Sequence, residues 1–213
     1  MRVLLIDHGC CDHDHTRVHR CRAALAAAGV SGMVCGPSSV PRLEEHHDGM
    51  FGIHLHAVAA ASHRFLAAVQ EGSAAAFLAA IPLLSPRLLG SVRETARQLI
   101  AEAVDACDPD AIFVMHAGIL TDLAVETGAP VAVHVSRADL DAAALRPAMR
   151  ALVARAIGSC EVVAADDAAT AAALHADWID PDAVTAADVW PLAPESAGHL
   201  AAACRTAVVR RRG

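Results

Sequence analysis

Long apolar runs, an excess of basic residues and paired cysteine motifs are all missing from this 213-residue chain, and each absence narrows what it does. No stretch approaches the roughly 20 uninterrupted apolar residues that a membrane helix needs, so no membrane span is expected. The opening Met1-Arg2-Val3-Leu4-Leu5-Ile6 meets Asp7 too soon for a secretory h-region, and a cytoplasmic setting is expected. Lysine and arginine total 17 against 24 acidic residues, a formal net charge of -7. That balance disfavours attraction to nucleic acid or anionic lipid, so neither is expected as a partner. Only Arg210-Arg211-Arg212 runs against it, and such a terminal cluster reads as a solvated, frayed end. The seven cysteines (Cys10, Cys11, Cys21, Cys35, Cys107, Cys160 and Cys204) are odd in number, scattered and without a CxxC pair. They read as reduced thiols, not as a disulfide framework. There is no internal repeat.

What is present is a large apolar fraction, 55% of residues, enough to bury a sizeable core. Short apolar runs alternate with helical patterns. Strands are expected over 2–7, 30–35, 51–56, 111–115, 131–135, 161–165 and 184–189, and a loop over 36–39. Helices are expected over 16–28, 62–70, 86–107, 119–126, 141–157, 168–175 and 195–210. The alanine-rich segment reaching Leu84 stays open between helix and loop, and 177–182 reads as a connecting loop. Strands separated by helices mean a parallel sheet with right-handed crossovers. The fold class is therefore α/β, a Rossmann-like open parallel sheet with helices on both faces.

Two of the strand runs end in histidine, Ala111 to His116 and Val131 to His134. In an open parallel sheet the carboxyl ends of the strands face the ligand crevice, so His116 and His134 are expected to converge on one site. The chain reads as a ligand-handling domain.

Several segments, in order, resemble the N-terminal half of a GT-B glycosyltransferase of the retaining, family 4-like kind. Met1 to Asp7 with a polar turn, then Arg17 through Gly29, looks like the opening strand, loop and first helix, although Val30 stands where the family has histidine. Pro109 to His116 and Gly128 to His134 are similar to its two histidine-ending strands. Ala156 to Ala165 resembles a later strand, with Asp166 in place of the usual serine. Val189-Trp190-Pro191-Leu192-Ala193 stands at the family's interdomain hinge without its Asn-Gly. A Glu-x7-Glu spacing at Glu94 and Glu102 lies on the long helix, whereas the family's pair belongs to the donor-binding domain, so it reads as coincidence.

The resemblance implies a single GT-B-type N-terminal domain over 1–192, followed by a C-terminal helix and basic tail over 193–213. It implies transfer of a sugar from a nucleotide-sugar donor, helped by a donor-binding domain not in this chain, on a separate chain, a longer enzyme or in a homo-oligomer. His134 would hold the transferred sugar. Gly9 and Cys10 in the first turn, His116, Arg137 and Asp139 are the substrate-binding candidates, with a helix N-cap as the structural role of Asp139. No metal ligand set is assigned. A divalent ion remains an alternative at the cluster His8, Asp12, His13, Asp14, His15 and His19, with Glu44 to Asp48 in another loop and His54 and His56 on a strand. His15 and His19 have i,i+4 spacing, but neither HExxH nor HxHxDH occurs. Such a cluster would make a metal-dependent hydrolase. Two further readings stay open: a catalytically degenerate binding or assembly module, and a thiol nucleophile at Cys10 or Cys11 beside His8 or His13.

Overall fold

The structure is a computed structural model that describes residues 1–9, 17–38, 49–179, 189–191 and 197–212. The chain opens with β1 (Arg2–Ile6), α1 (Arg17–Ala27), β2 (Ser31–Pro37) and β3 (Met50–Ile53). Four helices follow, α2 (His56–Ala59), α3 (His63–Glu71), α4 (Ala74–Ala80) and α5 (Pro86–Cys107). The second half alternates through β4 (Ala111–Val114), α6 (Ile119–Glu126), β5 (Val131–Val135), α7 (Arg137–Ala144) and α8 (Pro147–Gly158). It closes with β6 (Val162–Ala165), α9 (Ala168–Asp177), β7 (Val189–Pro191) and α10 (Ala197–Arg212).

All the described strands pair in parallel, in the order β3-β2-β1-β4-β5-β6-β7. Alternation divides each strand between two cores. Leu4, Ile6, Ile112, Val114, Val131, Val133 and Val163 face one layer, with Phe65, Phe77, Ile100, Leu123 and Val153. Val3, Leu5, Phe113, Ala132, Val162 and Ala164 face the other, where α1 brings Val18, Cys21 and Leu25, and α10 brings Leu200, Cys204 and Ala207. The Rossmann-like class is thus as expected, helices covering both faces. Among the described residues no helix is long and apolar enough to cross a membrane.

Helix starts follow short polar side chains. Ser62, Ser73, Ser85, Ser136 and Asp167 each accept a backbone N–H from the first turn of the helix they precede. Ser73 resolves the open alanine-rich segment as α4. The expected helix over 141–157 is two helices. Pro147 disfavours a helical Arg146, which is extended at φ -140° and ψ 132°. The first of the two starts at Arg137 because Ser136 caps it, so Asp139 is not the N-cap but sits three residues inside. Its carboxylate accepts the Ser136 N–H at 2.9 Å while its own N–H meets Ser136 Oγ at 3.3 Å, a reciprocal capping box.

Other boundaries move. Gly36 and Pro37 belong to β2, where they pair with Gly52 and Ile53. The third strand ends there, so His54 lies beyond it and His56 opens α2; neither is on a strand. For the last strand, 184–188 lie outside the described residues and β7 begins at Val189.

The basic terminus is not frayed. Arg210 donates to the Glu161 carbonyl at 2.8 Å, and Arg211 to Glu161 Oε1 and the Gly128 carbonyl, both at 3.2 Å. Glu161 Oε2 in turn accepts the buried Val131 N–H at 2.7 Å. Glu161→Ala strands that N–H and is expected to cost about 1–3 kcal/mol, whereas Arg211→Ala removes a half-exposed pair and should cost under about 1 kcal/mol. Urea unfolding of the two variants checks the order; a larger loss from Arg211→Ala would show that the tail, not the buried N–H, dominates.

Candidate functional site

β1 and β4 are sheet neighbours separated by about half the chain, and the strand order reverses between them. A crevice opens outside their carboxyl ends. Asp7, His8 and Gly9 leave β1 at that end, and His116, Ala117 and Gly118 follow β4.

His116 is held from two sides. Its Nδ1–H donates to Asp139 Oδ1 at 3.0 Å, and its Nε2 lies 3.6 Å from Asp7 Oδ1. Burial works against the charged ring, but the hydrogen bond and charge of Asp139 and the charge of Asp7 outweigh it, and the pKa is raised. Asp139 is 1% exposed, and its Oδ2 also accepts the Ala117 N–H at 3.1 Å. Burial alone would raise the Asp139 pKa, yet His116 and the backbone N–H donors hold it below the ordinary carboxylate value. The product is a ring whose protonated form is favoured by the flanking carboxylates and whose orientation is fixed.

His8 has a structural part. Its Nε2 accepts the Leu120 N–H at 3.2 Å, so the ring caps the first turn of α6 from across the crevice. The proton then resides on Nδ1, which is buried with no partner among the described residues. Burial first, and His116 second, push its pKa down to about 3. The packing demands glycine at 118, where a Cβ would stand 2.5 Å from His8 Nε2 and 2.7 Å from Leu78 Cδ2. Gly118 N–H is taken up by Thr121 Oγ1 at 3.1 Å, and that hydroxyl donates to the His116 carbonyl at 2.9 Å.

His134 lies near the end of β5, on the Ala132 face by alternation, and pairs in register with Ala164. It is 0% exposed, and neither ring nitrogen has a partner among the described residues. Its pKa is lowered to about 4, by burial first and then by the Arg17 charge, with Asp139, His116 and Asp166 also acting on it. A buried, unpaired polar group costs roughly 1–3 kcal/mol. A ring carried at that cost has unsatisfied hydrogen-bonding capacity facing its surroundings.

His116 and Asp139 therefore come together, joined by Asp7, and the charges of both act on His134. Arg137 stands apart, 63% exposed and paired with Asp141 at 3.0 Å, on a depression it shares with Arg150 and Trp178. The Gly9 N–H donates to Asp7 Oδ1 at 3.0 Å, and a Cβ at Gly9 would meet Ala74 N and Gly72 O at 3.2 Å. Cys10, Cys11, Asp12, His13, Asp14, His15 and Glu44 to Asp48 lie outside the described residues. Among the described residues no group of three or more potential ligands could hold a metal ion, and Cys21, Cys35, Cys107, Cys160 and Cys204 are buried and in no disulfide. Glu94 joins Arg97 on the exposed side of α5.

No family model matches the sequence, and no curated protein is similar to it. Solved structures are similar. A sucrose-phosphate synthase chain from Thermosynechococcus elongatus superimposes with a TM-score of 0.54 at 14% identity, over 96% of this chain and 98% of that one. A protein described as trehalose-6-phosphate from E. coli, bound with UDP-2-fluoro glucose, gives 0.54 at 13% identity over 90% of this chain. A trehalose-6-phosphate synthase analysed with bisubstrate glycomimetics of glycosyl transfer with retention gives 0.54 at 12%. The fold is of the GT-B type. At such identities the likeness is one of fold, and the chain spans only 48% and 49% of the last two.

In this GT-B-type sheet, sequence reasoning missed Asp7, Gly118 and Thr121. Asp7 was open to the same argument as His116, being the first charged residue beyond an apolar strand. Gly118 carried a weaker signal, a glycine between that histidine and an apolar helix.

Two outcomes are expected. Gly118→Ala should displace His8 and destabilise the fold by roughly 1–3 kcal/mol in thermal or urea unfolding; an unchanged midpoint would mean that the cap is dispensable. An ordinary histidine titrates near 6.5, whereas His8 does so at about 3 and His134 at about 4. Below that ordinary value the unfolded chain binds two protons that the folded one refuses. Their stability contribution is full above pH 6.5 and lost as pH falls, at up to about 1.4 kcal/mol per pH unit for each ring. His116, its pKa raised, contributes oppositely, with stability present below 6.5 and lost as pH rises through its folded value. Urea midpoints should drop between about pH 7 and pH 5, and His134→Leu should shrink the drop. Equal drops would show that His134 is not one of the refused protonation sites.

Proposed function

We propose that this chain is the acceptor-side domain of a family 4-like glycosyltransferase, moving a sugar from a nucleotide-sugar donor to an acceptor hydroxyl in the cytoplasm. The donor-binding domain would come from outside these 213 residues, on a longer chain, a separate protein or a second copy. One observation carries the reading: near the carboxyl end of β5 in a GT-B-type sheet, the buried His134 has no partner for either ring nitrogen among the described residues, and the charge of the clamped His116 acts on it.

Transfer with retention builds positive charge on the sugar and negative charge on the leaving diphosphate. A neutral imidazole offers one donor and one acceptor, which suits a sugar hydroxyl, and His134 takes that part. His116, its protonated form favoured and its ring fixed by Asp139, donates to the acceptor or to a departing oxygen. Asp139 acts through His116 as a positioning residue, since its oxygens already hold His116, Ala117 and Ser136. Gly9 and Cys10 are assigned to substrate contact, and Arg137 to phosphate or acceptor contact. The five cysteines among the described residues, none of them in a disulfide, suit a reducing compartment.

Gly9 supports a second reading, a catalytically degenerate binding module, because its N–H serves Asp7 and its open side packs against Gly72 and Ala74. The test is transfer from a panel of nucleotide-sugars, with and without the proteins encoded beside this one. Activity is expected only with a donor-binding partner, and His134→Ala should lower kcat by roughly a hundredfold or more with the fold intact. Unchanged turnover in His134→Ala would remove that residue from the reaction, and silence in every pairing would favour the degenerate module.

A further inference from the structure

Beside His116, between α4 and α7, lies an open depression of about 420 Å³. One wall is Ala75, Leu78 and Ala79 from α4, the other Ala138, Ala142 and Leu145 from α7 and its C-terminal end. Leu145 is 61% exposed, one of few large apolar side chains so placed. The lining continues through Leu78, Asp139 and Ala142 into a narrow notch against Ile81, Pro82 and Met149. Exposed alanines at 75, 79 and 138 keep the walls low and apart.

The polar groups at this depression are already engaged, with one exception. Asp139 holds three N–H donors, Ser136 Oγ accepts the Asp139 N–H, and Asp141 pairs with Arg137. That leaves the Nε2 edge of the His116 ring, which lies 3.6 Å from Asp7 Oδ1 without a hydrogen bond, as the polar handle. Among the described residues no lysine or arginine lines the depression, while Asp139 and Asp141 both do. A phosphorylated acceptor would meet the buried Asp139 carboxylate and an Asp141 already paired with Arg137, with His116 the one lining residue able to carry positive charge among the described residues, an unfavourable balance. An apolar body with one hydroxyl at its end meets alanine and leucine walls and one donor, the arrangement of small-molecule sites in general.

We propose that this depression holds the apolar body of an uncharged, hydroxyl-bearing amphiphile, with its hydroxyl end at His116, as the acceptor of the transfer. The inference rests on the glycosyl-transfer reading for the word acceptor, but the binding site itself does not. Its volume falls within the few hundred Å³ usual for small-ligand sites.

The test uses the full chain, n-hexyl β-D-glucoside below its micellar concentration, and glucose 6-phosphate, with binding followed by calorimetry and by NMR of leucine methyls. Hexyl glucoside is expected to bind and to shift Leu145, and to bind more tightly than glucose 6-phosphate. Leu145→Glu and Ala79→Glu, at exposed positions on opposite walls, should each weaken it roughly tenfold with Tm unchanged. Absent binding, tighter binding of glucose 6-phosphate, or binding indifferent to both variants overturns the proposal. So does a wild-type dimer that both variants dissociate without altering glucoside affinity, since a second copy is then the occupant. Binding with this pattern but without transfer in any pairing keeps the site and defeats the transferase reading. Transfer only to sugar phosphates does the reverse.

Discussion

The carboxylate of Asp139 makes three contacts that join two pieces of chain, the turn after β4 and the start of α7. It closes the capping box of α7 through the Ser136 N–H, stops the turn after β4 through the Ala117 N–H, and orients His116 through Nδ1. A carboxylate that accepts several N–H donors stays ionised even when almost wholly buried. Its charge then sustains the charge on His116, so the geometry of the crevice and its electrostatics depend on the same group.

Three imidazoles share this neighbourhood and are driven in opposite directions. His116 has carboxylates on two sides, and pairing outweighs burial. Among the described residues His8 and His134 have no carboxylate in hydrogen-bond contact, so burial prevails and both pKa values fall, with His116 acting in the same direction. Environments that push like groups apart in pKa are how one site obtains separate donors and acceptors. His8 uses its acceptor within the fold, on α6. His134 has no such partner among the described residues, and this difference separates a structural histidine from a candidate for chemistry.

Much of the architecture was legible along the chain. The helix Pro86–Cys107 carries six turns of amphipathic repeat between Ser85 and the Asp108-Pro109 break, and the strand Val131–Val135 is an apolar run interrupted by His134 after a Gly-Ala-Pro turn. Strong periodicity and punctuation survive any tertiary context. The split between α7 and α8 was also written in the sequence, in Pro147, but the apolar pattern runs on across it. The anchored arginine tail was not. Nothing local distinguishes a solvated arginine from one that reaches Glu161 and Gly128, residues far away in sequence.

The sequence by itself determined the alternation of strands and helices, the parallel sheet this entails, and the two histidines at strand ends, because period, capping and turn chemistry act over a few residues. Only the tertiary structure decided that Asp139 sits inside α7 as the clamp on His116, that His8 caps α6, and that Arg137 stands apart from this group. Each of these depends on side chains brought together across the β1–β4 switch, where charge, burial and hydrogen-bond partners come from segments that no short-range pattern relates.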